Sequence, residues 1–220
     1  MSRTIVVTGT DTGVGKTWVS AALIRALVLS GIRAVGIKPI ESGCDGTQME
    51  DGVLLAESGS QLQPSRALLR LKAPIAPPLA ADREGIVIDW AGILAQIKTY
   101  REDAEVALVE GAGGLLSPLS WQHNSLDLAT QLNAEILLVA ADKLGSINHT
   151  LLSLRVLKQA GINVVGVVFS APEHADESTG SNAQSLVQTT GLHRVFSLPR
   201  LSTVEETAQV LTPILSWLGA

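Results

Sequence analysis

Short apolar blocks alternate with helix-spaced ones along most of the chain, and this predicts a repeating strand–helix order. Ile5, Val6 and Val7 form a β-branched block that reads as a buried strand. From Lys16 the apolar positions Trp18-Val19, Ala22-Leu23 and Ala26-Leu27 fall at helical spacing, and Ser30-Gly31 marks a stop. Residues 34–37 predict a second strand, and 53–56 a helix that starts near Glu50-Asp51. Pro74, Pro77 and Pro78 make residues 71–85 an ordered stretch without regular structure. A helix is expected over 86–100 with Asp89 as its cap, then a strand over 106–109. Residues 125–132 read as a short helix, 136–141 as a strand, 143–149 as a polar turn and 150–159 as a helix stopped by Gly161. A strand over 164–169 follows, then a helix near 182–189, a strand near 193–198 and a last helix over 203–218. Strand–helix–strand runs imply right-handed parallel crossovers, so the expected class is α/β.

At 220 residues the chain is most simply one domain, 1–220, able to bury a full core. Its 46% hydrophobic and 17% charged residues exclude a disordered chain. The net charge of −5, with no lysine-arginine cluster, argues against a nucleic-acid surface. Cys44 is the only cysteine, which excludes an internal disulfide and fits a reducing compartment. The first strand begins too early for a signal peptide, and no apolar run reaches membrane-spanning length. A cytoplasmic location and no membrane partner are therefore expected. His123, His149, His174 and His193 lack metal-ligand spacing, and no Gly-x-Ser-x-Gly elbow or internal repeat occurs. Trp18, Trp90, Trp121 and Trp217 are scattered, as core or interface residues are.

Three stretches carry chemistry. Between the first strand and first helix lies Gly9-Thr10-Asp11-Thr12-Gly13-Val14-Gly15-Lys16-Thr17. There, loop N–H groups and a helix N-terminus converge on a phosphate, Lys16 adds a point charge, and the Thr17 hydroxyl can ligate magnesium. The usual pattern has glycine six residues before the lysine; Thr10 stands there, with Gly9 one place earlier. The second strand delivers Lys38-Pro39-Ile40-Glu41-Ser42-Gly43 at its C-terminal end, where open parallel sheets gather ligands. By position Lys38 is either a second phosphate or substrate cation or a solvated lysine, and Asp51 either a helix cap or a metal ligand. Glu110 follows the apolar run 106–109 and precedes Gly111, Gly113 and Gly114, as expected of an acid partnering the magnesium beside close backbone.

With Lys143-Leu144-Gly145-Ser146-Ile147-Asn148-His149 added, these motifs together resemble the dethiobiotin synthetase family, which shares the displaced first glycine. The resemblance implies a single-domain P-loop fold with a mostly parallel, seven-stranded sheet flanked by helices, and a homodimer with interfacial active sites. It implies that Thr12, Gly13, Val14, Gly15, Lys16, Thr17, Glu110 and Gly113 bind ATP. Thr17, Asp51 and Glu110 would surround Mg2+, and Lys16 and Lys38 would be catalytic. Thr12, Lys38 and Ser42 would meet the substrate, whose carboxylate Gly145, Ser146, Ile147 and Asn148 of the neighbouring subunit would hold. The implied reaction joins 7,8-diaminononanoate, CO2 (as bicarbonate in solution) and ATP into dethiobiotin, through a carbamate and a carbamic–phosphoric anhydride, in biotin biosynthesis. Ser170 stands where the family often reads adenine with asparagine, and Leu79 where histidine is common.

Three rivals have distinct signatures. Partition and division-site ATPases carry a lysine five residues before the loop lysine, where this chain has Asp11. An amidoligase-type relative calls for a glutaminase domain, for which 220 residues leave no space. A catalytically silent nucleotide-binding regulator would bind nucleotide without substrate-dependent phosphate release.

Overall fold

A computed structural model describes residues 2–219. In chain order its elements are β1 (Arg3–Gly9), α1 (Lys16–Leu29), β2 (Ala34–Ile37), β3 (Ile40–Ser42), α2 (Asp51–Gly59) and β4 (Leu69–Leu71). Next come α3 (Pro77–Glu84), α4 (Trp90–Tyr100), β5 (Val106–Gly114), α5 (Ser125–Leu132), β6 (Glu135–Ala141) and α6 (Ser146–Gln159). The chain ends with β7 (Val164–Ser170), α7 (Asn182–Thr190), β8 (Val195–Leu198), α8 (Val204–Leu211) and a 3-10 turn over Thr212–Leu218.

The main sheet runs β2-β5-β1-β6-β7-β8 with every ladder parallel. Its central strand, β1, sets Val6 opposite Val109 on one side and Ile136 on the other. Both faces of a parallel sheet are covered, which is why its strands read as unbroken apolar runs. Val6 faces a layer that includes α4, α5 and Leu157 of α6, while Ile5 and Val7 face α1, α8 and the C-terminal turn. Gly36 on β2 lets α1 and α2 close in, since a Cβ there would lie 2.4 Å from Ile24 Cδ1 and 2.9 Å from Leu55 Cβ.

Several boundaries differ from the sequence expectation. Among the described residues the main sheet has six strands rather than seven. Pro39, which has no N–H to donate, ends β2, and the chain beyond it pairs elsewhere. Lys38 O and Pro39 O accept from Leu68 and Leu69 N at 2.9 and 3.1 Å, and β3 and β4 form a separate parallel ribbon. The stretch 71–85, expected without regular structure, contains α3; Pro77 and Pro78 occupy its first turn, where a missing N–H costs nothing. β5 continues past Glu110 to Gly114, so that acid lies inside the strand and not at its end. α6 begins at Ser146, within the expected turn, and the last helix divides into α8 and the 3-10 turn at Thr212.

Candidate active site

The β1–α1 connection builds the first wall of the site. Gly15 is the N-cap of α1 at φ 92°, a left-handed conformation that glycine adopts without strain. No side chain caps this N-terminus and no acid sits in its first turn, among the described residues, so its amide ends and dipole are left to face a ligand. Lys16 is buried, and its Nζ donates to Asp11 O at 3.1 Å. Burial lowers its pKa below the ordinary 10.5, and the neighbouring Lys38 charge lowers it further.

Lys38 supplies the second cation, and it is no surface lysine. It is 3% exposed, and its Nζ donates to Asp51 Oδ2 and Glu110 Oε1, each at 2.7 Å. Burial by itself would lower the lysine pKa, but the two carboxylates outweigh it and hold the value above the ordinary 10.5. The same Lys38 charge keeps the Asp51 carboxyl below the ordinary 3.8, against the opposing effect of burial. Thr17 Oγ1 donates to the same Glu110 Oε1 at 2.8 Å. Glu110 Oε2 is buried without a hydrogen-bond partner. A buried carboxylate oxygen left over beside a hydroxyl and a second carboxylate is a hard-oxygen donor set, and it fits magnesium.

One cavity of about 700 Å³ opens over this cluster. Its lining includes Thr12, Gly13, Gly15, Lys16 and Thr17 of the loop and α1 start, Lys38, Ser42 and Asp51, and Gly113 of β5. Glu110 lies beneath, fully buried. Val14 is not on this cavity; with Gly13 and Gly15 it borders a neighbouring one of about 730 Å³, which also takes in Ser170, Pro172 and Arg200. Gly145, Ser146, Ile147 and Asn148 lie on neither cavity but at the N-terminus of α6. There His149 borders a third cavity of about 440 Å³ with Thr10, Asp11, Leu116 and Leu152. Sequence reasoning gave no role to Glu41, Ser117 or Trp18, which also line the main cavity. The signal for Glu41 was its place three residues after Lys38 on the same strip; Ser117 and Trp18 carried none. Cys44 is buried, its thiol pushed up to about 11 by burial.

The AAA domain family model matches residues 3–208. The chain is 36% identical over 218 residues to the ATP-dependent dethiobiotin synthetase BioD of Anaeromyxobacter dehalogenans strain 2CP-C, covering 97% of each chain. It is 41% identical over 171 residues to the protein of the same name in Nitrosospira multiformis, covering 76% of this chain and 75% of that one. In fold it is similar to a ParA family ATPase from Chlorobium tepidum, with a TM-score of 0.59 at 12% identity over 100% and 98% of the two chains. The septum site-determining protein MinD of Pyrococcus horikoshii, complexed with Mg-ADP, superposes with a TM-score of 0.57 at 17% identity over 99% and 89%.

Proposed function

Because the chain belongs to the ATP-dependent dethiobiotin synthetase family, we propose that its main cavity brings a diamine-derived carbamate against the phosphates of ATP. The chain is an ATP-dependent ligase of that family, acting in biotin biosynthesis. The diamine is 7,8-diaminononanoate and the one-carbon unit is CO2. ATP supplies the phosphoryl group that activates the carbamate, and magnesium neutralises charge on its phosphates.

The chain's own residues answer an electrostatic difficulty. Carbamate and triphosphate are both anions, and water would screen their repulsion without positioning them. The amides of the loop 12–15 and the open N-terminus of α1 hold phosphate oxygens, and Lys16 adds charge to them. Lys38, whose Nζ shares Glu110 Oε1 with Thr17 Oγ1, stands close to the start of α1 on the same strip as Ser42, and faces the carbamate. Held by burial, these cations need little reorganisation as charge shifts in the transition state. Thr17, Asp51 and Glu110 would hold the metal. No side-chain nucleophile is needed: one substrate amine captures CO2, the carbamate oxygen attacks the γ-phosphoryl group as ADP leaves, and the second amine closes the ring as phosphate departs. The observation that carries this reading is the convergence of Lys16, Lys38, Thr17 and Asp51 on one pocket, with Glu110 beneath it bonded to Lys38 and Thr17.

The cavity beside Val14 and Ser170 is contiguous with the phosphate loop and suits a nucleoside. Leu116 and Leu152 are exposed on the third cavity, and Leu144 is exposed just before α6, as suits a face covered by a second copy of the chain. Such a copy would bring Gly145–Asn148 to its partner's substrate. Residues 1–220 form one domain in this reading. Among the described residues no helix is long and apolar enough to cross a membrane.

Phosphate release and dethiobiotin formation, measured with ATP, bicarbonate and 7,8-diaminononanoate, test the reading. Phosphate release should depend on the diamine, and dethiobiotin should appear in the mass spectrum in equal amount. Release that ignores the diamine would instead favour a nucleotide switch.

A further inference from the structure

Asp51 is held at two points, and one of its holders has no role so far. α2 begins at Asp51, but its N-cap residue Glu50 makes no side-chain bond to the helix. Glu50 turns away and pairs with Arg70. The first amides of α2 are satisfied from a different element. On β3, Glu41 Oε1 accepts from Asp51 N at 2.5 Å and Oε2 from Gly52 N at 3.0 Å. Glu41 is 7% exposed and both its oxygens are engaged, so the carboxylate is built into the helix start. The opposite side is closed as well. A Cβ on Gly52 would lie 2.2 Å from Ala67 N, so the first turn of α2 is pressed between Glu41 and the backbone at Ala67.

Lys38 and Glu41 lie three residues apart on one strip. Lys38 grips the Asp51 side chain at 2.7 Å, and Glu41 grips its main chain. Ser42, the next residue, lines the same cavity. The strip therefore holds both the side chain and the main chain of Asp51, while Thr17 and Glu110 stand on α1 and β5.

We propose that Glu41 is a positioning residue that fixes Asp51 in reach of the divalent cation and ties cation affinity to the strip that meets the substrate. The inference rests on the reading of Asp51 as a metal ligand. Partners that orient a ligating carboxylate typically change metal affinity by about 10–100-fold when removed. A cap that merely stabilised α2 would change stability and leave cation affinity alone.

Mn2+ binding, followed by electron paramagnetic resonance with a non-hydrolysable ATP analogue present, separates these roles. Glu41→Ala should weaken Mn2+ binding by about 10-fold or more. Glu41→Gln, which keeps one acceptor oxygen, should fall between it and the native protein, and it carries the test if the alanine variant does not fold. Asp51→Ala should weaken binding too, and the Glu41→Ala/Asp51→Ala double variant should bind no worse than Asp51→Ala alone, because the two act as one unit. Native-like Mn2+ affinity in both folded Glu41 variants would overturn the proposal, as would losses that multiply in the double variant. Native affinity in Asp51→Ala would remove the metal reading and this inference together. A non-additive loss in a protein that makes no dethiobiotin would keep the inference and sink the reaction.

Discussion

Lys38 shows how a single residue can be half legible in a sequence. Its place after a strand suggested a ligand cation, yet a solvated lysine fitted the pattern equally well. The deciding partners, Asp51 and Glu110, lie 13 and 72 residues away in sequence and come together only in the fold. Lys38→Met should therefore cost more than turnover. It leaves Glu110 buried without its counter-charge, a change that typically destabilises by about 3–5 kcal/mol. Urea unfolding should show that loss, and steady-state phosphate release should fall about a hundredfold or more. Lys16 carries the opposite shift. Its value in the folded protein lies below the ordinary 10.5, so its charge opposes folding and that cost is relieved as pH rises through the lowered value. A bound phosphate favours the charged form. ATP binding should thus take up protons on Lys16 in the window between the lowered value and the value in the complex, and weaken as pH rises through it. Calorimetry in two buffers of different ionisation heat checks the proton uptake; its absence would mean that Lys16 does not meet the phosphates.

At the scale of elements, local chemistry marked helix starts well and strand partners poorly. Asp89 was readable as a cap, and its side chain indeed accepts from Gly92 N at 2.9 Å. Asp89→Ala should lower stability by about 1 kcal/mol in thermal unfolding without changing nucleotide affinity. α3 was missed because prolines usually break regular structure; here they occupy a first turn, the one helical position that tolerates them. The β3–β4 ribbon was missed for a different reason. Each strand has only three residues, too short for alternation to show, and their pairing joins segments 29 residues apart, Ile40 to Leu69 and onward. That ribbon nevertheless carries Glu41 and Ser42, so part of the site was hidden with it.

For the whole molecule, the alternation of strands and helices made the α/β class legible, whereas the strand order β2-β5-β1-β6-β7-β8 was not. The buried stretches of β1, β5, β6 and β7 are all runs of apolar residues, so little in their residues names a neighbour. The proposed homodimer follows the same logic: exposed Leu144 and Leu152 suit a partner copy, but a sequence does not show which leucines stay uncovered. Leu152→Asp should shift the protein toward monomer in analytical ultracentrifugation and raise the KM for the diamine more than that for ATP. One layer of the core joins the two ends of the chain, because Ile5, Val7 and the apolar side of α1 pack with Leu211, Ile214, Leu215 and Leu218. During synthesis the first 29 residues emerge long before their cover exists. The phosphate loop, anchored between β1 and α1, therefore has the full packing of its anchors only once residues 211–218 are in place. A nascent chain stalled short of that point should remain open to protease at α1 and bind nucleotide weakly.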